Sequence, residues 1–216
     1  MHVDGWLHSA GYVREAGETR QKPAILVLRD DGTPNTGVGM NGWIVSDALL
    51  NQINDVTYDT ANHRMYFVGT RNLSSTVSMF TVVCMDINLV RGCPGFGLLG
   101  SGVKQGLYES ADYKSTGERI VYDADLGLLV TGIASRVPDG EWLGVARLDA
   151  TTGDPINEFD GHGSRVYSYQ TRMAGNLIRP YAMALSAVPA ADGKRHLYLG
   201  GEYRANYDVH DSLRAS

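Results

Sequence analysis

Several features that mark common protein classes are scarce or missing in this sequence. It has 2 cysteines among 216 residues, too few for a disulfide-dense scaffold. No apolar run approaches the ~20 residues that a membrane-spanning helix needs, so we expect no membrane span. The 19 lysines and arginines are scattered along a chain of net charge −5. The basic patch of a nucleic-acid-binding protein is therefore missing too, and we expect no nucleic-acid partner.

Apolar stretches with a helical period and caps at both ends are also missing. The apolar runs are short and rich in β-branched residues, which predicts strands. One pattern recurs: an Asp-containing turn leads into an apolar strand that ends in glycine. The closing glycines are Gly11, Gly69, Gly132 and Gly200.

A second motif keeps the same interval along the chain. It is an apolar residue followed by closely spaced glycines, at residues 38–42, 96–100 and 159–163. Two unrelated motifs that recur together every ~60 residues indicate a true internal repeat, as found in propellers and other arrays.

Each repeat reads as four short strands separated by turns rich in Asp, Gly and Pro. In the first full repeat, the strands are predicted at 24–28, 43–45, 53–58 and 64–69. In the last of these, Met65 and Phe67 alternate with Tyr66 and Val68, so both faces are apolar and both should be buried. The predicted fold is all-β: an incomplete β-propeller-like array of four-stranded antiparallel blades, with about three and a half repeats.

We expect a single β-repeat domain over residues 1–216. It comprises a partial blade at 1–11, repeats at roughly 12–70, 71–134 and 135–203, and the start of a further blade at 204–216. Residues 1–5 do not resemble a signal peptide, and the chain begins inside a repeat. Propellers usually close with at least four blades. The sequence therefore predicts either missing blades of a longer chain or a homodimer that completes the ring.

These motifs resemble the delta-60 repeat family of bacterial proteins. The likeness rests on Leu28 to Gly32 leading to 38–42, on Ala146 to Asp149 leading to 159–163, and on the glycine-closed hairpins. The chain departs from the family pattern at 88–93, and it has Asn35, Cys93 and Ile156 where the family has an Asp. The resemblance implies a propeller-like repeat in secreted or cell-surface bacterial proteins, without established catalytic residues.

Cys84 and Cys93 leave two interpretations open. Cys84 ends a strand and Cys93 lies across the next loop, so a disulfide could form if the loop brings the Cα atoms within about 7 Å. Such a bond would fit an oxidising compartment. Alternatively, Cys84 is a small core side chain at the position that Leu28 and Leu148 occupy in the other repeats.

The sequence assigns no catalytic, cofactor-binding or metal-binding residue. Asp30, Asp31, Asn35, Asp149, Asp154 and Asp160 could offer oxygen ligands to calcium, but their spacing is not that of an EF-hand loop, and turn formation explains them. The histidines share no metal-ligand spacing, and we expect them at the surface.

The repeat pattern favours a non-enzymatic scaffold whose loops bind a protein or a glycan, in a secreted or cell-surface bacterial protein. The alternative is a propeller-type hydrolase or lyase with its active site at the central channel. That alternative predicts ionisable residues from several blades that meet at one mouth of the channel with perturbed pKa values.

Overall fold

The computed structural model describes residues 2–3, 6–108, 114–136, 140–157, 164–167, 177–185 and 195–204. Within these residues the chain is all-β, with sixteen strands and one short 3-10 turn at Leu98–Gly100. The strands are β1 (His2–Val3), β2 (Trp6–Val13), β3 (Lys22–Leu28), β4 (Trp43–Val45), β5 (Gln52–Asp59), β6 (Arg64–Asn72), β7 (Ser78–Asp86), β8 (Arg91–Gly92), β9 (Val103–Gly106), β10 (Lys114–Ser115), β11 (Arg119–Asp123), β12 (Gly127–Arg136), β13 (Gly140–Leu148), β14 (Ser164–Tyr167), β15 (Leu177–Leu185) and β16 (Leu197–Arg204). None of the described residues forms a helix long and apolar enough to cross a membrane.

Strands that follow one another along the chain pair into antiparallel meanders. The first meander is β1–β2–β3–β4, the second is β5–β6–β7–β9, and the third is β11–β12–β13–β14. Strands β15 and β16 form the end hairpin. The two-residue strand β10 joins the second and third meanders, because Lys114 pairs with Ser78 of β7 and with Ser135 of β12.

The joined sheet curls so that β11 lies beside β5, which gives it a barrel-like shape. Side chains of β5 replace the backbone acceptors that a regular ladder would supply. The backbone N–H of Ile120 donates to Asp55 Oδ2 at 3.1 Å, and the N–H of Tyr122 donates to Thr57 Oγ1 at 3.1 Å. The first strands of two successive meanders are therefore held together by polar side chains.

The meanders are offset by half a repeat from the sequence motifs. Strands β1 and β2 belong to a four-stranded sheet with β3 and β4, although residues 1–11 were predicted as a partial blade. The reason is local: a glycine-closed strand pairs with the strand that follows it in the chain. Each meander thus combines the end of one repeat with the beginning of the next.

One backbone hydrogen bond recurs in all three full repeats. The N–H groups of Asn35, Cys93 and Ile156 donate to the carbonyls of Val27, Cys84 and Arg147 at 2.9, 3.1 and 3.0 Å. Cys84 is therefore equivalent to Val27 and Arg147, so its predicted alignment with Leu28 and Leu148 was wrong by one residue. Because successive residues of a strand face opposite sides, this shift reverses the face assigned to the side chain.

The prediction that the glycine-closed strand is buried on both faces is confirmed. Met65 and Phe67 of β6 pack in a core with residues of the first meander, including Ile25 and Ile44. Tyr66 and Val68 pack in a second core with residues of the third meander. The second meander is therefore enclosed between its two neighbours.

The first meander has one face that the described residues leave uncovered. Leu7, Trp43 and Val45 are exposed, although they belong to a sheet whose opposite face is core. Leu26 pairs with Trp43 and lies half-buried on the same face. Like the covered faces of the second meander, this face consists of large apolar side chains.

Two substitutions on β6 test the enclosure of the second meander. We expect Met65→Ala and Val68→Ala each to lower the free energy of unfolding by about 2–4 kcal/mol, because each opens a cavity on a different buried face. Val56→Ala, at an exposed position of β5, should cost about 0.5 kcal/mol or less. Urea unfolding measures all three, and a cost near that of the control at either β6 position would mean that this face is not buried.

Candidate functional site

A disulfide joins Cys84 and Cys93, with Cα atoms 5.4 Å apart and both residues fully buried. Strand β8 folds back on β7, where Gly92 pairs with Met85, and this pairing brings Cys93 next to Cys84. Cys84 is therefore a core side chain that is also bonded, although it does not occupy the position of Leu28 and Leu148. The bond closes the irregular turn that leads into residues 96–102.

Residues 38–42 and 96–100 form equivalent loops, which we call the marker loops. Gly39 and Gly97 both have positive φ, at 52° and 74°. A Cβ atom at either position would collide with the carbonyl group of Trp43 or Val103, so only glycine fits. The two loops therefore share a backbone that glycine fixes.

The marker loops carry large apolar side chains that point away from the core. Met40, Leu98 and Leu99 are 77%, 79% and 98% exposed. Leu99 and its equivalent Asn41 both have φ 54°. Asn tolerates this left-handed conformation, whereas a leucine there costs about 1–2 kcal/mol. Leu99 thus gives the fold no packing energy and costs it backbone energy.

Leu98 and Leu99 form one wall of a cleft at the β9 edge of the second meander. Its larger cavity has a volume of about 600 Å³ and is lined by Arg71, Met79, Gly97, Leu98, Leu99, Ser101, Val103, Lys104, Gln105 and Asp154. A smaller cavity of about 270 Å³ shares Arg71 with it and reaches Arg20 and Asp47. We call the two cavities together the cleft.

The charged groups of the cleft differ in how they are held. Lys104 Nζ and Asp154 Oδ1 form an ion pair at 2.8 Å, and the Lys104 ammonium lowers the pKa of Asp154. The Arg71 guanidinium makes no hydrogen bond or ion pair within the described part of the chain. The cleft therefore combines an apolar wall with a cation that is available to a ligand.

Ionisable residues of the second meander, the third meander and the end hairpin meet at the hairpin turns. Arg195 before β16 forms an ion pair with Asp123 of β11 at 2.7 Å. Tyr66 of β6 donates its hydroxyl to the carbonyl of Ala150 at 2.8 Å and stacks on Tyr122, with ring centroids 6.0 Å apart. We call this group the hairpin-turn network.

The pKa shifts in the hairpin-turn network keep each group in its ordinary state at neutral pH. Burial raises the pKa of Tyr66 to about 12, and burial followed by the nearby Asp59 carboxylate raises the pKa of Tyr122. Burial alone would raise the pKa of Asp123. Backbone N–H donors and the Arg195 guanidinium outweigh that effect and lower it. A general acid or base works best with a pKa near neutrality, so these shifts suit a structural network.

The turn residues considered as calcium ligands are occupied by local hydrogen bonds. Asp31 Oδ1 accepts the N–H of Thr33 at 2.8 Å, Asn35 Oδ1 accepts that of Gly37 at 3.2 Å, and Asp149 Oδ1 accepts that of Thr151 at 2.8 Å. Asp160 lies outside the described residues. In the parts of the chain that the structure describes, no three His, Cys, Asp or Glu residues are grouped to hold a metal ion.

The expectation that all histidines lie at the surface is wrong for His8. This residue is buried, because it lies on the face of β2 that turns toward the second meander and stacks on Tyr58, with ring centroids 6.4 Å apart. His196 is exposed and His63 half-buried. His162 and His210, as well as the side chain of His2, lie outside the described part.

Sequence reasoning did not identify the cleft. The sequence contained a weak indication of strain at Leu99. The equivalent residue of the first repeat is an Asn, a residue that suits the left-handed conformation. For Arg71 the sequence contained no indication, because its availability depends on strands that are distant in the sequence.

No protein-family model matches the chain, and no curated protein matches its sequence. The resemblance to delta-60 repeats therefore stays a prediction.

Replacing the disulfide by the residues of the first repeat isolates the contribution of the bond. We expect Cys84→Val/Cys93→Asn to lower the free energy of unfolding by about 2–3 kcal/mol, because the bond restricts a short loop in the unfolded chain. Denaturant unfolding measures the change, and reduced wild-type protein should lose a similar amount. Equal stability of the variant and the oxidised wild type would contradict a stabilising role.

The lowered pKa of Asp123 predicts a pH-dependent contribution to stability. The charged carboxylate stabilises the fold above the ordinary aspartate pKa of 3.8, and this is lost as the pH falls through the lower native value. Asp123→Asn should therefore cost about 1 kcal/mol at pH 7. The difference from wild type should diminish as the pH falls below 3.8 and vanish once the native carboxylate is protonated. Urea unfolding across this range tests it, and a difference independent of pH would show that the charge is not responsible.

Proposed function

We propose that this protein is a non-enzymatic β-propeller-like scaffold that binds a protein or glycan partner. In this proposal the three meanders and the end hairpin are successive blades, and β5, β11 and β15 are their innermost strands. The contacts of β11 with both β5 and β15 support this arrangement. The face-to-face burial of the second meander supports it as well.

The observation that carries the binding role is Leu99. A leucine that is almost fully exposed and held in the left-handed region costs the fold energy and returns none. Backbone strain of this kind is a reason to look for function. Leu99 lies at the edge of the cleft, where an apolar side chain on a rigid loop would contact a ligand.

The chemistry of the cleft best suits an extended protein segment. Leu98, Leu99, Met79 and Val103 offer apolar contact, and Arg71 offers a cation with paired hydrogen-bond donors. Combinations of an apolar surface with a few placed polar groups are typical of binding sites.

A hydrolase or lyase site finds less support. The hairpin-turn network does gather ionisable groups from two meanders and the end hairpin, as that alternative requires. Its tyrosines have raised pKa values and Asp123 has a lowered one, so these shifts bring no group closer to neutrality.

The buried disulfide supports a secreted or cell-surface location, since such bonds persist in oxidising compartments. The uncovered apolar face of the first meander supports a covering sheet, from further blades of a longer chain or from a second copy.

Leu99→Asn tests the binding role without disturbing the fold. The residue becomes that of the equivalent position in the first repeat, so the variant should be at least as stable as wild type. Random peptides displayed on phage, and a glycan array, are screened on wild type and then on the variant. We expect ligands selected on wild type to bind the variant at least about tenfold more weakly, because their apolar contact is lost.

The matched control is Leu89→Asn, which removes an exposed leucine outside the cleft. Ligands should bind this control as they bind wild type. If no ligand is selected, or if selected ligands bind the Leu99→Asn variant as tightly as wild type, the cleft is not the binding site.

A further inference from the structure

A cavity of about 340 Å³, separate from the cleft, lies where the second meander meets the segment that leads into the third. Its walls consist of Ser, Thr, Asn and Gln side chains together with Lys114 and Glu118. Val77 is the single apolar residue among the described residues that line it. Its volume falls within the range of about 300–1,000 Å³ that small-ligand sites occupy. We call it the polar cavity.

The polar cavity and the cleft are separate sites on the second meander. Thr70 lies two residues after Val68 on β6, and Ser78 lies two residues before Phe80 on β7, so each shares a strand face with that residue. Val68 and Phe80 pack against the third meander. Arg71 lies four residues after Phe67 on β6 and shares its strand face, and Phe67 packs against the first meander. The two sites are therefore independent, and neither shares a lining residue with the other.

Two residues that line the polar cavity with a hydroxyl group are themselves buried. Thr70 is 7% exposed and Ser78 is 5% exposed. Neither hydroxyl makes a hydrogen bond within the described part of the chain. Neither oxygen is sealed off from the cavity, so both hydroxyls can form hydrogen bonds with a molecule that occupies it.

The remaining groups of the cavity define the chemistry of that partner. The side-chain amides of Gln52 and Asn72 are exposed at the rim and make no hydrogen bond to described residues. Each amide offers both donors and acceptors. Lys114 and Glu118 bring one charge of each sign, so the cavity has no net charge that would favour an ion.

We infer that the polar cavity binds a neutral saccharide. A sugar ring carries several hydroxyls, each of which donates and accepts, and this matches the hydroxyls and amides around the cavity. The balanced charges of Lys114 and Glu118 give an anionic ligand no net attraction. Among the described lining residues, only Val77 offers an apolar side chain to a peptide. The inference does not rest on the function proposed for the cleft.

The test uses the whole protein and a panel of glucose, galactose, mannose, N-acetylglucosamine and their disaccharides. Saturation-transfer NMR identifies the sugars that bind, and isothermal titration measures their affinity. We expect at least one neutral sugar to bind, and Thr70→Val/Ser78→Ala to weaken it at least about tenfold, because the variant removes both hydroxyls and nearly preserves shape.

Two controls separate this effect from a loss of structure. Thr131→Val removes a buried hydroxyl on the third meander that does not line the cavity, and it should leave sugar affinity unchanged. Leu99→Asn, in the cleft, should also leave it unchanged. If the double variant does not fold, Asn72→Ala at the exposed rim replaces it, with an expected loss of about threefold or more.

Three outcomes would overturn the inference. The first is that no sugar in the panel binds, which would mean that water fills the cavity. The second is that the bound sugar has the same affinity for the wild type and for the cavity variants. The third is that sulfated or carboxylated sugars bind and neutral ones do not. A failure of the cleft experiment would leave these results unaffected, since the two sites have separate variants.

Discussion

The burial of the second meander on both faces is the constraint on which the rest of the structure depends. Strand β6 has no polar face to turn toward water, because Met65 and Phe67 lie on one side and Tyr66 and Val68 on the other. Such a strand is stable only between two other sheets. The first and third meanders must therefore lie where they do, and both candidate sites arise at the borders of that stack.

The sites form where the stack stops being apolar. At the outer end, the disulfide and the marker-loop glycines fix a loop that has no core of its own, and Leu99 is left exposed. At the other border, the face that contains Val68 continues to Thr70, and the hydroxyls take the place of the apolar core. The strands thus position both a cleft with an apolar wall and a polar cavity. The hairpin-turn network connects the meanders through neutral tyrosines and a paired aspartate.

Much of the fold was predictable because its signals are local. The alternation at Met65 to Val68 and the glycine-closed turns are visible in the sequence, and they predicted strands with two buried faces. The offset of the meanders, the bridge through Lys114 and the one-residue shift at Cys84 were not predictable, since each depends on pairing between distant strands. The polar cavity combines Gln52, Ser78 and Glu118, which no spacing in the sequence relates.

The central claim is that the second meander lies between the first and third meanders, and methyl-methyl nuclear Overhauser effects test it most directly. In protein labelled at Ile, Leu and Val methyls, the account predicts contacts from Val83 of β7 to Ile25 or Ile44 of the first meander. It also predicts contacts from Val68 or Val82 to Ile120, Leu128 or Val130 of the third. Contacts to one neighbour alone would contradict the account, because β6 would then have an apolar face in water.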